Sequence, residues 1–392
     1  MQARSISERV DYVGAIDWDR RLFDSLIPLP DGTSYNAYVI RGDSKVALLD
    51  TVDPAMAHIL MAQLDGVPTV DYVVAHHAEQ DHSGMIPAVL ARYPKARVLC
   101  TPQGKTLLAA HLGIPDERFQ TVADGESVAL GGRTLRFIHT PWVHWPETMV
   151  SYLEEERILF SCDWFGSHLA TSQIFVTDEA RVYEAAKRYY AEIMMPFRKI
   201  IQRNMAKIAE LEIEMIAPSH GPVYRRPALI LDAYREWVAD TPGNRIVVPY
   251  VSMHGSTRLM VERLVARLSA GGAPVDQFDL SVADIGKLAI ALVDAASLVI
   301  GTPTFHRGPH PTVYNVTHLA NALRPRVAYA SIIGCYGWAT RAVEELAGLI
   351  PDLKVEILPP VLAVGHPSEE SLREVDALAD VLLERHRQAG LL

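Results

Sequence analysis

From Arg245 onward the chain repeats one rhythm without interruption: a short β-branched strand, then a helix, then another strand. The strands read as Ile246–Val251, Val275–Leu280, Ser297–Gly301, Val327–Ile333 and Lys354–Leu358. Helical stretches lie between them near 258–269, 284–294, 311–322 and 339–349, and a last helix starts at Glu369. Apolar strands joined by helical crossovers can pair only in parallel, which predicts a doubly wound α/β sheet covered on both faces. The first half behaves differently. Tyr38–Ile40, the turn Arg41–Ser44 and Val46–Leu49 read as a hairpin. Further strands at Tyr72–Ala75, Arg97–Leu99, Thr134–Ile138, Met149–Leu153 and Ile158–Phe160 interleave with helices at Pro54–Leu64, Ala228–Val238 and, longest, Glu179–Glu210. Paired antiparallel strands mixed with helices predict an α+β arrangement of two sheets under helical layers. The two patterns meet at Asp240-Thr241-Pro242-Gly243-Asn244, a cluster of turn formers. The expected domains are therefore 1–243 and 244–392, in keeping with a chain of 392 residues at ~150 per domain.

Composition narrows the function classes. A net charge of −10 argues against a general nucleic-acid surface, which needs clustered Lys and Arg. The longest apolar stretch, Leu288 to Ile300, is broken by Asp294, so no membrane span is expected. The first residues alternate charged and polar side chains with no apolar segment of a secretion signal. Cys100, Cys162 and Cys335 are an odd count without a CxxC pair, which excludes a disulfide framework and a thiolate zinc ribbon. A soluble cytoplasmic protein is the expectation.

The chemistry of the first half concentrates after Tyr72–Ala75, in the run His76-His77-Ala78-Glu79-Gln80-Asp81-His82-Ser83-Gly84. In extended backbone His77, Glu79 and Asp81 project to one side. His82, at the start of the next helix, can turn toward the same point, while His76 points the other way and suits an outer role. A solvated acidic loop accounts for one carboxylate, but not for carboxylates interleaved with imidazoles. Three more ligand types recur at the same kind of address, a loop after an apolar strand: His144, Asp163 and His220. Mixed imidazole and carboxylate donors without thiolate suit iron or manganese, with zinc also compatible. His58, His111, His139 and His168 lack such company and read as surface or core residues.

The pattern His77-x-Glu79-x-Asp81-His82, with His144, Asp163 and His220, resembles the flavodiiron proteins, a branch of the metallo-β-lactamase fold. Zinc hydrolases of that fold usually carry His where this chain has Glu79. The resemblance extends over nearly the whole chain, including Ser34–Val39, His144-Trp145-Pro146 and Pro218-Ser219-His220-Gly221. It implies that His77, Glu79 and His144 hold one iron, that Asp81, His82 and His220 hold the other, and that Asp163 bridges them. His76 departs from it, since Asn is common there.

The second half carries a complementary signal. Its first strand ends in Ser252-Met253-His254-Gly255-Ser256-Thr257 directly before a helix, and this looks like the flavodoxin phosphate loop. Backbone N–H groups and hydroxyls at a helix N-terminus favour a monophosphate. The loop is neither GxGxxG nor GxxxxGK[ST], which disfavours a dinucleotide and a nucleoside triphosphate. The third strand ends in Thr302-Pro303-Thr304-Phe305 and the fourth in Gly334-Cys335-Tyr336-Gly337-Trp338. In a flavodoxin-like sheet these ends meet at the ligand, where Phe305 and Trp338 can wall an isoalloxazine ring. FMN is the expected cofactor.

A flavin beside a redox metal pair implies a short reductase. By the resemblance, FMN and two irons per chain would carry electrons to O2, giving water, or to NO, giving N2O. With no cysteines for a fused rubredoxin, the donor is expected to be a separate protein such as rubredoxin, or a reduced cofactor. The resemblance also implies a head-to-tail homodimer, or a homotetramer built from it, with loops near Trp145, Trp164 and Trp338 as interface elements. Tyr189, Tyr190 and Asp24 are outer-shell candidates, though the tyrosines read first as helix packing. The rival reading is a zinc-dependent hydrolase with an appended flavodoxin-like electron-transfer domain, against which Glu79 argues.

Overall fold

Alternation decides how the first half is layered. Successive strand residues face opposite sides of a sheet. Leu48, Val73 and Val98 join a buried cluster with Leu60, Ile86, Val89 and Leu108 of the covering helices. Their neighbours Leu49, Val74 and Leu99 join Leu135, Phe137, Met149, Phe160 and Ala217 of a second sheet. Helices thus cover one face of the first sheet and the second sheet covers the other.

The structure, a computed structural model, describes residues 3–392. They form two units, one running to Tyr190 and resuming over Phe197–Val238, the other made of Ala191–Pro196 with Ala239–Leu392. In the first unit a seven-stranded sheet follows chain order, through Tyr38–Arg41, Val46–Leu49, Tyr72–Val74, Arg97–Cys100 and Phe119–Thr121. It is antiparallel up to Val46–Leu49 and parallel beyond. The five-stranded sheet runs from Ser127–Ala129 to Met215–Pro218, the last strand lying parallel to Ile158–Cys162. The long helix expected over Glu179–Glu210 is interrupted. Regular helix covers Glu179–Tyr189 and Arg198–Ile208, with a π turn at Tyr190–Met194 and a 3-10 turn at Met195–Phe197 between them. Pro196 has no N–H to continue the helical ladder, which accounts for the break.

In the second unit the parallel strands lie in the order Val275–Asp279, Arg245–Tyr250, Ala295–Phe305, Tyr329–Tyr336, Glu356–Ile357, which is 2-1-3-4-5 in chain order. This is the flavodoxin-like order, with its switch point between the first and third strands. The third strand outruns its expected end by four residues. It reaches Phe305 and folds back onto Gly308–Pro309 through His306 and Arg307, at φ 48° and 73°. Positive φ at both central residues is what a two-residue hairpin turn requires. The expected fifth strand, Lys354–Leu358, shrinks to Glu356–Ile357. Pro359 and Pro360 cannot donate to a ladder, and Val361–Val364 takes over the pairing with the upper half of Tyr329–Tyr336.

The turn-former segment is fastened to the second unit. The Arg326 guanidinium donates to the carbonyls of Ala239, Thr241 and Val293. Asn244 Oδ1 lies 2.6 Å from His386 Nδ1, and His386 Nε2 lies 2.7 Å from Ser297 Oγ. His386 is fully buried, and burial lowers its pKa below the ordinary 6.5. The unfolded chain therefore binds the proton first, so stability is full above pH ~6.5 and falls as pH drops through the unfolded and then the folded value. Denaturant titrations of the second-unit transition at pH 7.5 and 5.5 should show this loss, and His386→Gln should flatten it. Among the described residues, no helix is long and apolar enough to cross a membrane.

Candidate functional site

Four loops of the two first-unit sheets converge. The strand Tyr72–Val74 delivers His77 and Glu79, with Glu79 still extended at φ −62°, ψ 141°. Backbone then turns helical over Gln80–Ser83, so the alternation expected to carry Asp81 to the same side stops one residue earlier. The helical turn sends Asp81 and His82 to a neighbouring point instead. His144 comes from the loop before Met149–Leu153, Asp163 follows Ile158–Cys162, and His220 follows Met215–Pro218.

All seven side chains singled out in the sequence come together, in two groups. His77, Glu79, His144 and Asp163 form one; Asp81, His82 and His220 form the other. In the first, Glu79 Oε2 lies 3.0 Å from His77 Nε2 and 3.3 Å from His144 Nε2. In the second, Asp81 Oδ2 lies 3.2 Å from His82 Nε2 and 3.3 Å from His220 Nε2. Asp163 stands between them. Its Oδ2 is 3.3 Å from His144 Nε2, while its Oδ1 is 2.8 Å from His82 Nε2 and 3.4 Å from His220 Nε2. Donors bound to one ion at about 2.1 Å sit roughly 3–4 Å apart, the spacing seen here.

The donor set fits metal ions on a second count. Both oxygens of Asp81, both ring nitrogens of His82 and Oδ1 of Asp163 are buried without a hydrogen bond. Buried polar atoms are almost always paired, so the unpaired Asp81 oxygens, His82 Nε2 and Asp163 Oδ1, gathered in one cluster, call for cations among them. The electrostatics agree. Burial alone would lower the His82 pKa, but the Asp81 and Asp163 carboxylates outweigh it and push it up to about 10. Burial likewise opposes ionisation of Asp163, yet His82, His144 and His220 hold it well below the usual carboxylate range. Without metal, the carboxylates thus favour protons on His77, His82 and His144.

His77 is held from behind, since Glu147 Oε1 accepts from its Nδ1 at 2.9 Å and from the Ala78 N–H at 2.8 Å. His220 Nδ1 donates to the Ser34 carbonyl at 2.7 Å. Beneath the cluster, Asp50 accepts from the His76 backbone N–H at 2.9 Å and from its Nδ1 at 2.7 Å. His76 Nε2 meets Ser151 Oγ at 2.8 Å, and Ser219 Oγ lies 3.3 Å from the same Asp50 carboxylate. His76 therefore faces away from the seven donors, as its position in the strand predicts.

Sequence reasoning passed over Glu147 and read His168 only as a surface or core residue. His168 is buried beside the cluster, its ring 4.8 Å from that of His220, and its Nδ1 is 2.9 Å from Thr33 Oγ1. The ring is flanked by Phe23 and Tyr189. Tyr189 thus borders the cluster, whereas Tyr190 packs against Tyr234 and Trp237. Asp24 lies within the field of Glu79 and Asp81; burial first, and then those carboxylates, raise its pKa. Trp164 is fully buried and stacked on Phe165, which removes it from the interface elements expected of the sequence.

In the second unit, Gly255 at φ 87° opens the helix Ser256–Ala270, leaving the first-turn N–H groups pointing outward. Ser252 Oγ accepts from the Gly255 and Arg258 N–H groups at 3.1 Å and fixes the loop. Thr257 is buried, with its Cγ2 3.5 Å from where a Cβ on Gly301 would stand. A Cβ on Gly334 would lie 2.0 Å from the Thr302 carbonyl oxygen, so only glycine lets these strand ends approach. Above them Met253, Phe305 and Trp338 are exposed, Trp338 to 84%. An anion seat beside the exposed rings of Phe305 and Trp338 fits a phosphate-bearing flavin.

The comparisons with known proteins agree with this geometry. A profile described as "ODP family beta lactamase" matches residues 33–221, a span that contains all seven donors. A nitric oxide reductase of Moorella thermoacetica is 36% identical, covering 91% of this chain and 92% of its own length. Rubredoxin oxygen:oxidoreductase from Desulfovibrio gigas superposes with a TM-score of 0.95 at 28% identity, over 100% of both chains. The flavodiiron protein from Giardia intestinalis gives 0.91 at 26%, over 99% of this chain and 98% of its own. The chain belongs to the flavodiiron protein family. Another relative of this flavodiiron chain, the coenzyme F420H2 oxidase of Methanothermobacter marburgensis, is 34% identical, covering 88% of this chain and 89% of its own. The two-layered β-lactamase-like unit followed by a flavodoxin-like sheet is the flavodiiron architecture.

Proposed function

We propose that this flavodiiron protein is an oxidoreductase that takes electrons through FMN to a pair of irons and reduces O2 to water, NO to N2O, or both. The observation that carries the reading is Asp163, whose two carboxylate oxygens reach one donor group each. His77, Glu79 and His144 would hold one iron, Asp81, His82 and His220 the other, and Asp163 would span them. Ser252–Thr257 would seat the phosphate. Thr302–Phe305 and Gly334–Trp338 would border the ring. The bound flavin supplies electrons singly or in pairs, and the iron pair supplies a redox-active seat for a diatomic gas. Reducing O2 to two waters consumes four electrons and four protons; joining two NO into N2O and water consumes two of each. The protein's part is to fix the donors, tie the floor of the site with buried hydrogen bonds and border it with Tyr189, His168 and Asp24.

The names of relatives point to two donor types, a rubredoxin and reduced coenzyme F420, and this chain has only Cys100, Cys162 and Cys335, all buried. We take the donor to be separate. A head-to-tail homodimer would bring the flavin of one chain to the metal pair of the other and give two equivalent sites. Exposed Trp142 in the first unit, and exposed Phe305 and Trp338 in the second, support such a contact. Cytoplasmic residence agrees with reduced cysteines.

Purified protein is expected to be yellow, with about one FMN and about two irons per chain. Zinc with no flavin absorbance would overturn the reading in favour of a hydrolase. Steady-state turnover with each gas, driven by one chemically defined donor, decides between O2 and NO.

A further inference from the structure

Three imidazoles of the cluster, His77, His82 and His220, are not supported alike. Behind His77 stands a carboxylate: Glu147 Oε1 at 2.9 Å from Nδ1. Behind His220 stands a neutral acceptor, the Ser34 carbonyl at 2.7 Å. His82 Nδ1 is buried without any hydrogen bond, and the Asp50 carboxylate acts on this ring only through space. The Glu147 side chain is almost fully buried and is itself fixed. The same oxygen accepts the Ala78 N–H at 2.8 Å, and the Glu147 carbonyl accepts from Thr101 Oγ1 at 3.0 Å. Thr101 in turn caps the helix Pro102–Leu112. The edge of Trp145 closes on the His77 ring at 4.8 Å and 89°. His77 is therefore held in one ring orientation, with Nδ1–H toward Glu147, and with a metal bound its Nε2 would be the free donor beside Glu79 and Asp163.

A carboxylate behind a ligating imidazole does two things. It fixes which nitrogen is free, and it raises the basicity of that nitrogen, so losing it costs about 10–100-fold in metal affinity. On the other side, neither His82 nor His220 has a carboxylate hydrogen-bonded to its rear nitrogen. We propose that Glu147 is a positioning residue for His77 that makes the His77–Glu79–His144 position the tighter of the two metal positions. The inference rests on the assignment of metal donors given above and goes beyond it by making the two positions unequal. Glu147 touches neither substrate nor metal; it acts through His77.

Full-length protein stripped of metal and titrated anaerobically with cobalt(II), followed by ligand-field absorption, tests this. The native chain should take up two ions in two resolved steps. In Glu147→Gln, which keeps the side chain's shape but removes its charge, the tighter step should weaken by about 10–100-fold. The weaker step should stay in place, which also reports that the first unit remains folded. Glu147→Asp keeps the charge but shortens the reach, and should weaken the same step. Two equal steps in the native chain, or both steps weakened alike in Glu147→Gln, would overturn the inference while leaving the metal assignment standing. A native chain that binds no cobalt at these residues would overturn both.

Discussion

An Asp163→Ala variant is expected to purify yellow but short of at least one iron, with gas turnover reduced by more than about 100-fold. The reason lies in the spacing. Asp163 Oδ2 approaches His144 while Oδ1 approaches His82 and His220, so one side chain closes both donor groups. Alanine leaves each group one donor poorer. It also leaves four imidazoles facing only the Glu79 and Asp81 carboxylates. Flavin content should not move, because the phosphate loop belongs to the second unit, which has its own core. Iron analysis alongside the visible spectrum reads both halves at once. Full iron occupancy in this variant would show that Asp163 is not a ligand.

The complementary lesion is Thr257→Leu. Thr257 is buried on the first turn of the helix Ser256–Ala270, close to Gly301 across the sheet. Leucine removes the hydroxyl and forces extra volume into a packed position, a cost of about 1–3 kcal/mol. If that falls on the phosphate seat, FMN binds about 10–100-fold more weakly and the protein loses flavin on gel filtration. Iron should be retained. Unchanged flavin retention would count against the phosphate-loop assignment. Mixing this variant with Asp163→Ala then tests the assembly. In a head-to-tail pair, one composite site keeps an intact flavin seat and an intact metal cluster, so mixed dimers should recover activity that neither parent shows.

How much of this was legible in the sequence depended on whether a residue's role is local. The second unit was readable strand by strand because each βα element repeats the same hydrophobic logic over a few residues. The exceptions arose where prolines or positive φ intervened, at Pro359-Pro360 and at His306-Arg307, which changed strand ends but not strand order. The seven clustered side chains stood out because they sit in loops beside apolar strands. Which donors group together was not legible from alternation, since the backbone becomes helical at Gln80 and swings Asp81 away from Glu79. The roles of Glu147 and His168 were invisible for a different reason. Their partners, His77 and Thr33, lie 70 and 135 residues away in the chain, and nothing in a local pattern announces so distant a hydrogen bond.

The buried set of Asp50, His76, Ser151 and Ser219 has a consequence for electron transfer. Asp50 and His76 follow strands of the seven-stranded sheet, while Ser151 lies in, and Ser219 just after, a strand of the other. Their hydrogen bonds rivet the two sheets together directly below the donors. A floor tied from both sides cannot slide or reorient its dipoles when charge arrives above it. The nuclear rearrangement that accompanies each electron is then confined to the ligands and the gas, and a small reorganisation energy is what a site that must accept several electrons in succession needs.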